Sequence, residues 1–270
     1  MSLCLCGCSL VLLCACPPSL VARHSMNIAI FGGTFDPIHC GHLAAAQAAR
    51  QWFGLDRVYF VPAGHPPHRP GERLTAFEHR YAMVALACAG EPAFVPSLAE
   101  APSGETPNYS ITTVRRFRRR LRPGDRLFLL IGVDAFLELR TWHQWRALLT
   151  AAEFIIVSRP GFPLELVAQV FPAGMLRWHR AAESAARRGV PPLQVEEFKL
   201  RGGGAWVLAG VSEPVSATDI RRRVRRHQSL AGLVPETVAV YIAQQHLYDR
   251  AAAGFRVPCP SCQARGMKEE

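Results

Sequence analysis

Two short stretches of this chain hold side chains suited to gripping phosphate. In the first, Ile28 to Leu43, the run IAIFGGTFDPIHCGHL ends in His39-Cys40-Gly41-His42. His39 and His42 are three apart, so a helix starting here carries both imidazoles on one face. Gly41 between them leaves room for a phosphate to lie against the backbone. In the second, Pro214-Val215-Ser216-Ala217-Thr218-Asp219-Ile220-Arg221, two hydroxyls precede a guanidinium. These groups can hold a polyphosphate and neutralise it. Each stretch also has a purely structural reading: the histidines as packed side chains, and Ser216 as a helix cap with Asp219 three residues on.

Such residues work only if placed at a strand-to-helix junction. Asn27-Ile28-Ala29-Ile30-Phe31 is a short, partly β-branched apolar run, as expected of a buried strand. Gly32-Gly33 ends it, and the alanine-rich stretch from Leu43 to Trp52 reads as a helix. A helix start offers unpaired N–H groups and the positive end of the dipole, which together bind anions. Further strands are expected at 57–62, 94–96, 126–132, 154–160 and 205–210. Helices are expected at 75–89, 111–121 and after Asp134. Residues 164–204 are less regular, with a helix expected at 178–188. Alternation of this kind predicts an α/β chain with a doubly wound parallel sheet in a single domain. Ligands of open α/β sheets bind at the carboxyl ends of the strands, where the loop Ala63 to Arg69 falls.

The 270 residues carry a net charge of +10, with 49% hydrophobic and 19% charged residues, as an ordinary globular protein does. Arginines cluster at Arg115, Arg116, Arg118, Arg119, Arg120 and Arg122, and again from Arg221 to Arg226, whereas lysine occurs only at Lys199 and Lys268. The balance suggests an anionic partner, either nucleic acid or small phosphate compounds. No aromatic-rich RNA-binding signature accompanies the arginines, so no nucleic-acid partner is expected. Seven of the nine cysteines lie in the first 16 residues or at Cys259 and Cys262, which leaves no disulfide framework and suits a reducing cytoplasm. Cys259-Pro260-Ser261-Cys262 lacks a partner pair, and no protein-held metal is expected. Residues 1–25 form an apolar lead without Lys or Arg before Arg23, and the run is too short to span a bilayer. No membrane partner is expected. The expected division is a poorly ordered leader at 1–25, upstream of a biological start at Met26, a domain at 26–250, and a disordered tail at 251–270.

GGTFDPIHCGH resembles the signature of the nucleotidyltransferase superfamily with its H-x-G-H motif, and its long form is most similar to bacterial nicotinate-nucleotide adenylyltransferases. VSATDIR is similar to the superfamily's I-S-S-T-x-x-R motif, with Ala217 where that motif has serine. The resemblance covers about Asn27 to Tyr248. It implies a Rossmann-like nucleotidyltransferase fold that joins ATP to nicotinate mononucleotide, with Mg²⁺ carried on the ATP phosphates. It further implies that His39, His42 and Arg221 are catalytic. Gly32, Gly33, Thr34, Phe35, Gly132, Asp134, Ser216 and Thr218 complete the ATP site. Tyr109, Ser110, Trp142 and Arg69 form the mononucleotide pocket, with Arg69 where the family has lysine. A homo-oligomer is compatible with the family. Phosphopantetheine and nicotinamide-mononucleotide adenylyltransferases are the rival activities within the superfamily.

Overall fold

The protein, as a computed structural model, is described over residues 25–65, 74–103, 107–158, 162–163, 165–182, 194–211 and 215–249. Its frame is a sheet whose strands follow the order β3-β2-β1-β4-β5-β8-β7-β6. The inner strands are β1 (Asn27–Gly33), β2 (Arg57–Pro62), β4 (Arg126–Gly132) and β5 (Glu153–Ser158); β3 (Phe94–Pro96) is the short edge. All of these pair in parallel, as does β8 (Gly203–Ala209) with β5.

Parallel strands covered on both faces must be apolar almost throughout, and these are. Alternate residues then serve opposite faces. Ala29, Phe31, Phe128, Leu130 and Ile155 pack on one side, with Ala45, Ala46 and Ala49 of α1 (Cys40–Phe53) and Met83 of α2 (Phe77–Cys88). Val238 and Ile242 of α8 (Glu236–Gln244) complete that layer. Ile28, Ile30, Leu127, Leu129, Ile131, Phe154 and Ile156 face the other way. They meet α3 (Ser110–Arg118), α4 (Val133–Leu137) and α5 (Trp145–Ala151) through Ile111, Phe136 and Leu148. Three alanines on one face let α1 sit close to the sheet. Gly54, at φ +58°, ends that helix in a left-handed turn with its N–H on the Arg50 carbonyl.

The expected fold class is thus found, with one correction at the far edge. β7 (Gln194–Leu200) pairs antiparallel with both β8 and β6 (Leu176–Ala182). The helix expected over 178–188 is therefore wrong where it can be compared: 176–182 is strand, and 183–193 lie outside the described residues. Arg177 to Ala182 has helix-compatible composition, but its partners are remote in sequence. His179 stacks on Phe198 at 4.3 Å and its Nε2 lies 2.5 Å from Glu196 Oε2. Cross-strand contacts of this kind override local propensity. After β5 comes α6 (Glu165–Val170), and after β8 comes α7 (Ala217–Arg225).

β1 pairs with β2 on one side and β4 on the other. The chain reverses direction across the sheet at this point, which is where open α/β sheets leave a crevice. Both phosphate-type stretches end up beside it.

Candidate active site

The turn after β1 is held open by a buried phenylalanine. Phe35 adopts φ +49°, a conformation costly for a side chain with a Cβ. Its ring is 1% exposed and lies 5.6 Å from Phe31, 5.9 Å from Phe60 and 5.0 Å from His42. Burial of this ring offsets the backbone strain. His39 then stands in extended conformation at the head of α1, where its N–H donates to His42 Nδ1 at 3.2 Å. The two imidazoles stack with centroids 3.6 Å apart.

This geometry sets their protonation. Burial pushes His39 down to about 4, and burial together with His39 holds His42 well below its usual value. Both are neutral near pH 7. Because Nδ1 of His42 accepts a backbone hydrogen bond, its proton resides on Nε2, a donor available to an oxyanion.

The depressed histidine makes stability depend on pH. The unfolded chain takes up a proton near 6.5, whereas folded His39 resists protonation until about 4. Stability is therefore full above 6.5 and is lost as pH falls toward 4. At pH 5 His39 alone removes about 2 kcal/mol. Urea unfolding at pH 7 and pH 5 should show that loss in the parent chain, and a smaller one in His39→Gln.

Across the crevice, Ser216 caps α7 by accepting the Asp219 N–H at 3.1 Å, so its structural role is real. Arg221 reaches back from this helix. Its Nη1 donates to the Asp36 carbonyl at 2.5 Å and its Nη2 to Thr218 Oγ1 at 3.3 Å. Asp219 is taken up by Arg222 and Arg223. Two arginines of the other cluster are likewise committed: Arg116 to the Ala99 carbonyl and Arg118 to those of Thr150 and Ala151.

One cleft of about 390 Å³ is lined by both stretches. Gly32, Thr34, Phe35, His39 and His42 form one wall; Ser216, Thr218 and Arg221 form the other; Gly132 and Asp134 contribute from the end of β4. Two buried side-chain atoms of this cleft, His39 Nδ1 and Ser158 Oγ, have no hydrogen-bond partner. Buried polar atoms left unpaired are rare, and here both border space that a ligand would fill. Ser158 went unnoticed in the sequence, where its position at the end of a strand was its one signal.

A second cavity of about 320 Å³ shares Gly32, Thr34, His42 and Gly132 with the first. Gly33, Ser110 and Trp142 line it, together with Glu100, Asn108 and Glu138, which sequence reasoning missed. Tyr109 is not among its lining residues; its ring packs on His143 at 4.3 Å. Arg69 lies outside the described residues. Glu100 is buried, which raises its carboxyl, and it accepts the Thr113 hydroxyl at 2.6 Å. Gly64 packs closely behind two of these residues: a Cβ there would fall 2.1 Å from the Glu100 carbonyl oxygen and 2.6 Å from Asn108 Oδ1. Gly64→Ala should cost about 1–3 kcal/mol, read as a lower urea midpoint, while Gly90→Ala, whose added carbon meets nothing within 4 Å, should cost far less.

Comparison with known proteins agrees with this arrangement. A cytidylyltransferase-like family model matches residues 30–223. A protein of Solibacter usitatus named "probable nicotinate-nucleotide adenylyltransferase" is 50% identical over 224 residues, covering 83% of this chain and all of that one. A protein of the same name from Geobacter metallireducens is 39% identical, covering 83% and 98% respectively. Among solved structures, nicotinic acid mononucleotide adenylyltransferase of Plasmodium falciparum, complexed with NaAD, has the same fold. Its TM-score is 0.58 at 17% identity, over 83% of this chain and 97% of that one. A glycine-marked turn and a hydroxyl-bearing helix start lining one cleft, and relatives matched over almost their entire length, lead to one assignment: the chain belongs to the nicotinate-nucleotide adenylyltransferase family.

Proposed function

We infer that this protein transfers the adenylyl group of ATP to nicotinate mononucleotide, giving nicotinate adenine dinucleotide and pyrophosphate. The carrying observation is that the imidazoles of the first turn and the guanidinium of the second border one cleft, and that a second cavity bearing Trp142 shares Gly32, Thr34, His42 and Gly132 with it. A triphosphate fits the first space; a pyridine ring fits against tryptophan in the second. Membership of the family supports the same substrates.

In the reaction, a phosphate oxygen of the mononucleotide forms a bond to the α-phosphorus of ATP. The bond from that phosphorus to the β-bridging oxygen breaks, and pyrophosphate leaves with the electron pair. A phosphomonoester is largely ionised at neutral pH, its second pKa being about 6, so no general base is required. What remains is alignment and charge stabilisation. His42 Nε2–H would donate to the α-phosphate oxygens as charge shifts onto them. His39, neutral and stacked beneath it, would hold a neighbouring oxygen. Arg221, Thr218 and helix-start N–H groups of α7 would hold the β- and γ-phosphates. Among the described residues no group of three or more His, Cys, Asp or Glu is gathered that could hold a metal ion. Mg²⁺ bound on the triphosphate would supply charge neutralisation for the departing pyrophosphate. Among the described residues no helix is long and apolar enough to cross a membrane.

The test is purified protein with ATP, Mg²⁺ and either nicotinate or nicotinamide mononucleotide, following pyrophosphate release. Faster turnover with nicotinate supports the reading; release with neither mononucleotide would refute it.

A further inference from the structure

Asp36 is the meeting point of four chain segments, two of which, those of Thr75–Arg80 and Tyr248, are not among the residues lining the cleft. Its carboxylate Oδ1 accepts the Tyr248 hydroxyl at 2.7 Å and its Oδ2 accepts the Thr75 N–H at 3.1 Å. Its carbonyl oxygen accepts Arg221 Nη1 at 2.5 Å. Below it Arg80 donates Nη1 to the Thr34 carbonyl and Nε to the Thr75 carbonyl, each at 2.8 Å. Asp36 is 4% exposed and Arg80 2%. Burial works against the Arg80 guanidinium, and Asp36 opposes that effect.

This junction controls two things at once. Asp36 follows Thr34 and Phe35 and precedes His39, so its position sets the phosphate turn. Through its carbonyl it also sets where the Arg221 fork stands. Tyr248 is what fixes the side-chain end of Asp36 from the far terminus, and it does so from a left-handed backbone at φ +68°, two residues after His246 at φ +49°. A tyrosine held in that conformation against a buried carboxylate is an outlier best explained by the bond it makes.

We propose that Tyr248, acting through Asp36, is a positioning residue for the triphosphate: its hydroxyl holds the Asp36 junction so that Arg221 and the His39–His42 turn face one another at the right separation. The proposal rests on the adenylyl-transfer reading. Replacing Tyr248 by Phe keeps the ring and its packing but leaves Asp36 Oδ1 without its donor. Losing one hydrogen bond to a buried charge is expected to change binding about tenfold.

The experiment uses the full chain. In Tyr248→Phe, affinity for ATP and for inorganic pyrophosphate, measured by calorimetry, should fall about tenfold. KM for nicotinate mononucleotide should stay within about twofold, a selectivity that a general loss of folded protein would not produce. In an Arg221→Lys background the same change should have little further effect, because two residues acting through one contact are not additive. Should Tyr248→Phe yield too little folded protein, Asp36→Asn, which keeps one acceptor oxygen, is read by the same pair of affinities. A parent chain that binds pyrophosphate while Tyr248→Phe binds it equally well, or equal losses for both substrates, would overturn this proposal alone. A parent chain that binds neither ATP nor pyrophosphate would overturn the adenylyl-transfer reading and this proposal with it.

Discussion

His42→Ala should lower kcat by about 10²-fold or more while leaving the Michaelis constants nearly unchanged. The expectation follows from where the proton sits. His42 Nδ1 is occupied by the His39 N–H, so Nε2 carries the hydrogen and can donate to an oxygen whose charge grows as the α-phosphorus is attacked. A donor used mainly in the transition state shows in kcat and not in KM. The ring also packs edge-on against Phe35 at 5.0 Å, so alanine removes structure as well as chemistry. His42→Asn separates the two: its side-chain oxygen can still accept the His39 N–H, but it places no donor where Nε2 was. It should lose a comparable factor in kcat with a melting temperature near that of the parent. Near-normal kcat with only a raised KM in both variants would remove His42 from the chemistry.

Arg221→Lys should reduce kcat/KM for ATP by about 10²–10³-fold, although the charge is retained. Arg221 spends one N–H of Nη1 on the Asp36 carbonyl and one of Nη2 on Thr218, lines the cleft, and has further N–H groups in its planar fork. An ammonium group is a point charge on a flexible stem. It cannot bridge to Asp36 and reach a phosphate in fixed geometry at the same time. Arg222→Lys and Arg223→Lys are the natural controls, since both residues pair with Asp219. They should stay within about twofold of the parent, being solvent-screened pairs on the surface of the helix. Equal losses across all three arginines would mean that bulk positive charge, and not the position of Arg221, governs nucleotide binding.

Much of the site was legible because phosphate chemistry leaves local marks. His39 and His42 three apart, glycines at a strand end and hydroxyls at a helix start are patterns within a dozen residues, and their elements formed where the patterns lie. Ser158, Glu100 and Asn108 escaped notice because nothing in their neighbourhoods distinguishes them from ordinary strand-end or loop residues. What sets them apart is what faces them: the cleft, Thr113, and the His65 backbone, whose N–H reaches Asn108 Oδ1 at 3.0 Å. Tyr109 enters the mononucleotide pocket through the resemblance alone, and its ring packs on that of His143. The strand at 176–182 was lost to a helical reading because its partners lie some 20 residues further on, in β7.

Alone, the order of residues determined the alternation of apolar strands with helices and the two turns rich in phosphate-binding groups. Hydrophobic period, glycine placement and helix capping are all short-range effects, set by neighbours a few positions away. The tertiary structure decided that those turns, some 180 residues apart, face each other across one cleft, that burial keeps both histidines neutral, and that Asp36 joins Arg221 to Tyr248. These outcomes depend on which strands become neighbours and on the desolvation that follows, and pairing across the sheet is a property of the folded whole.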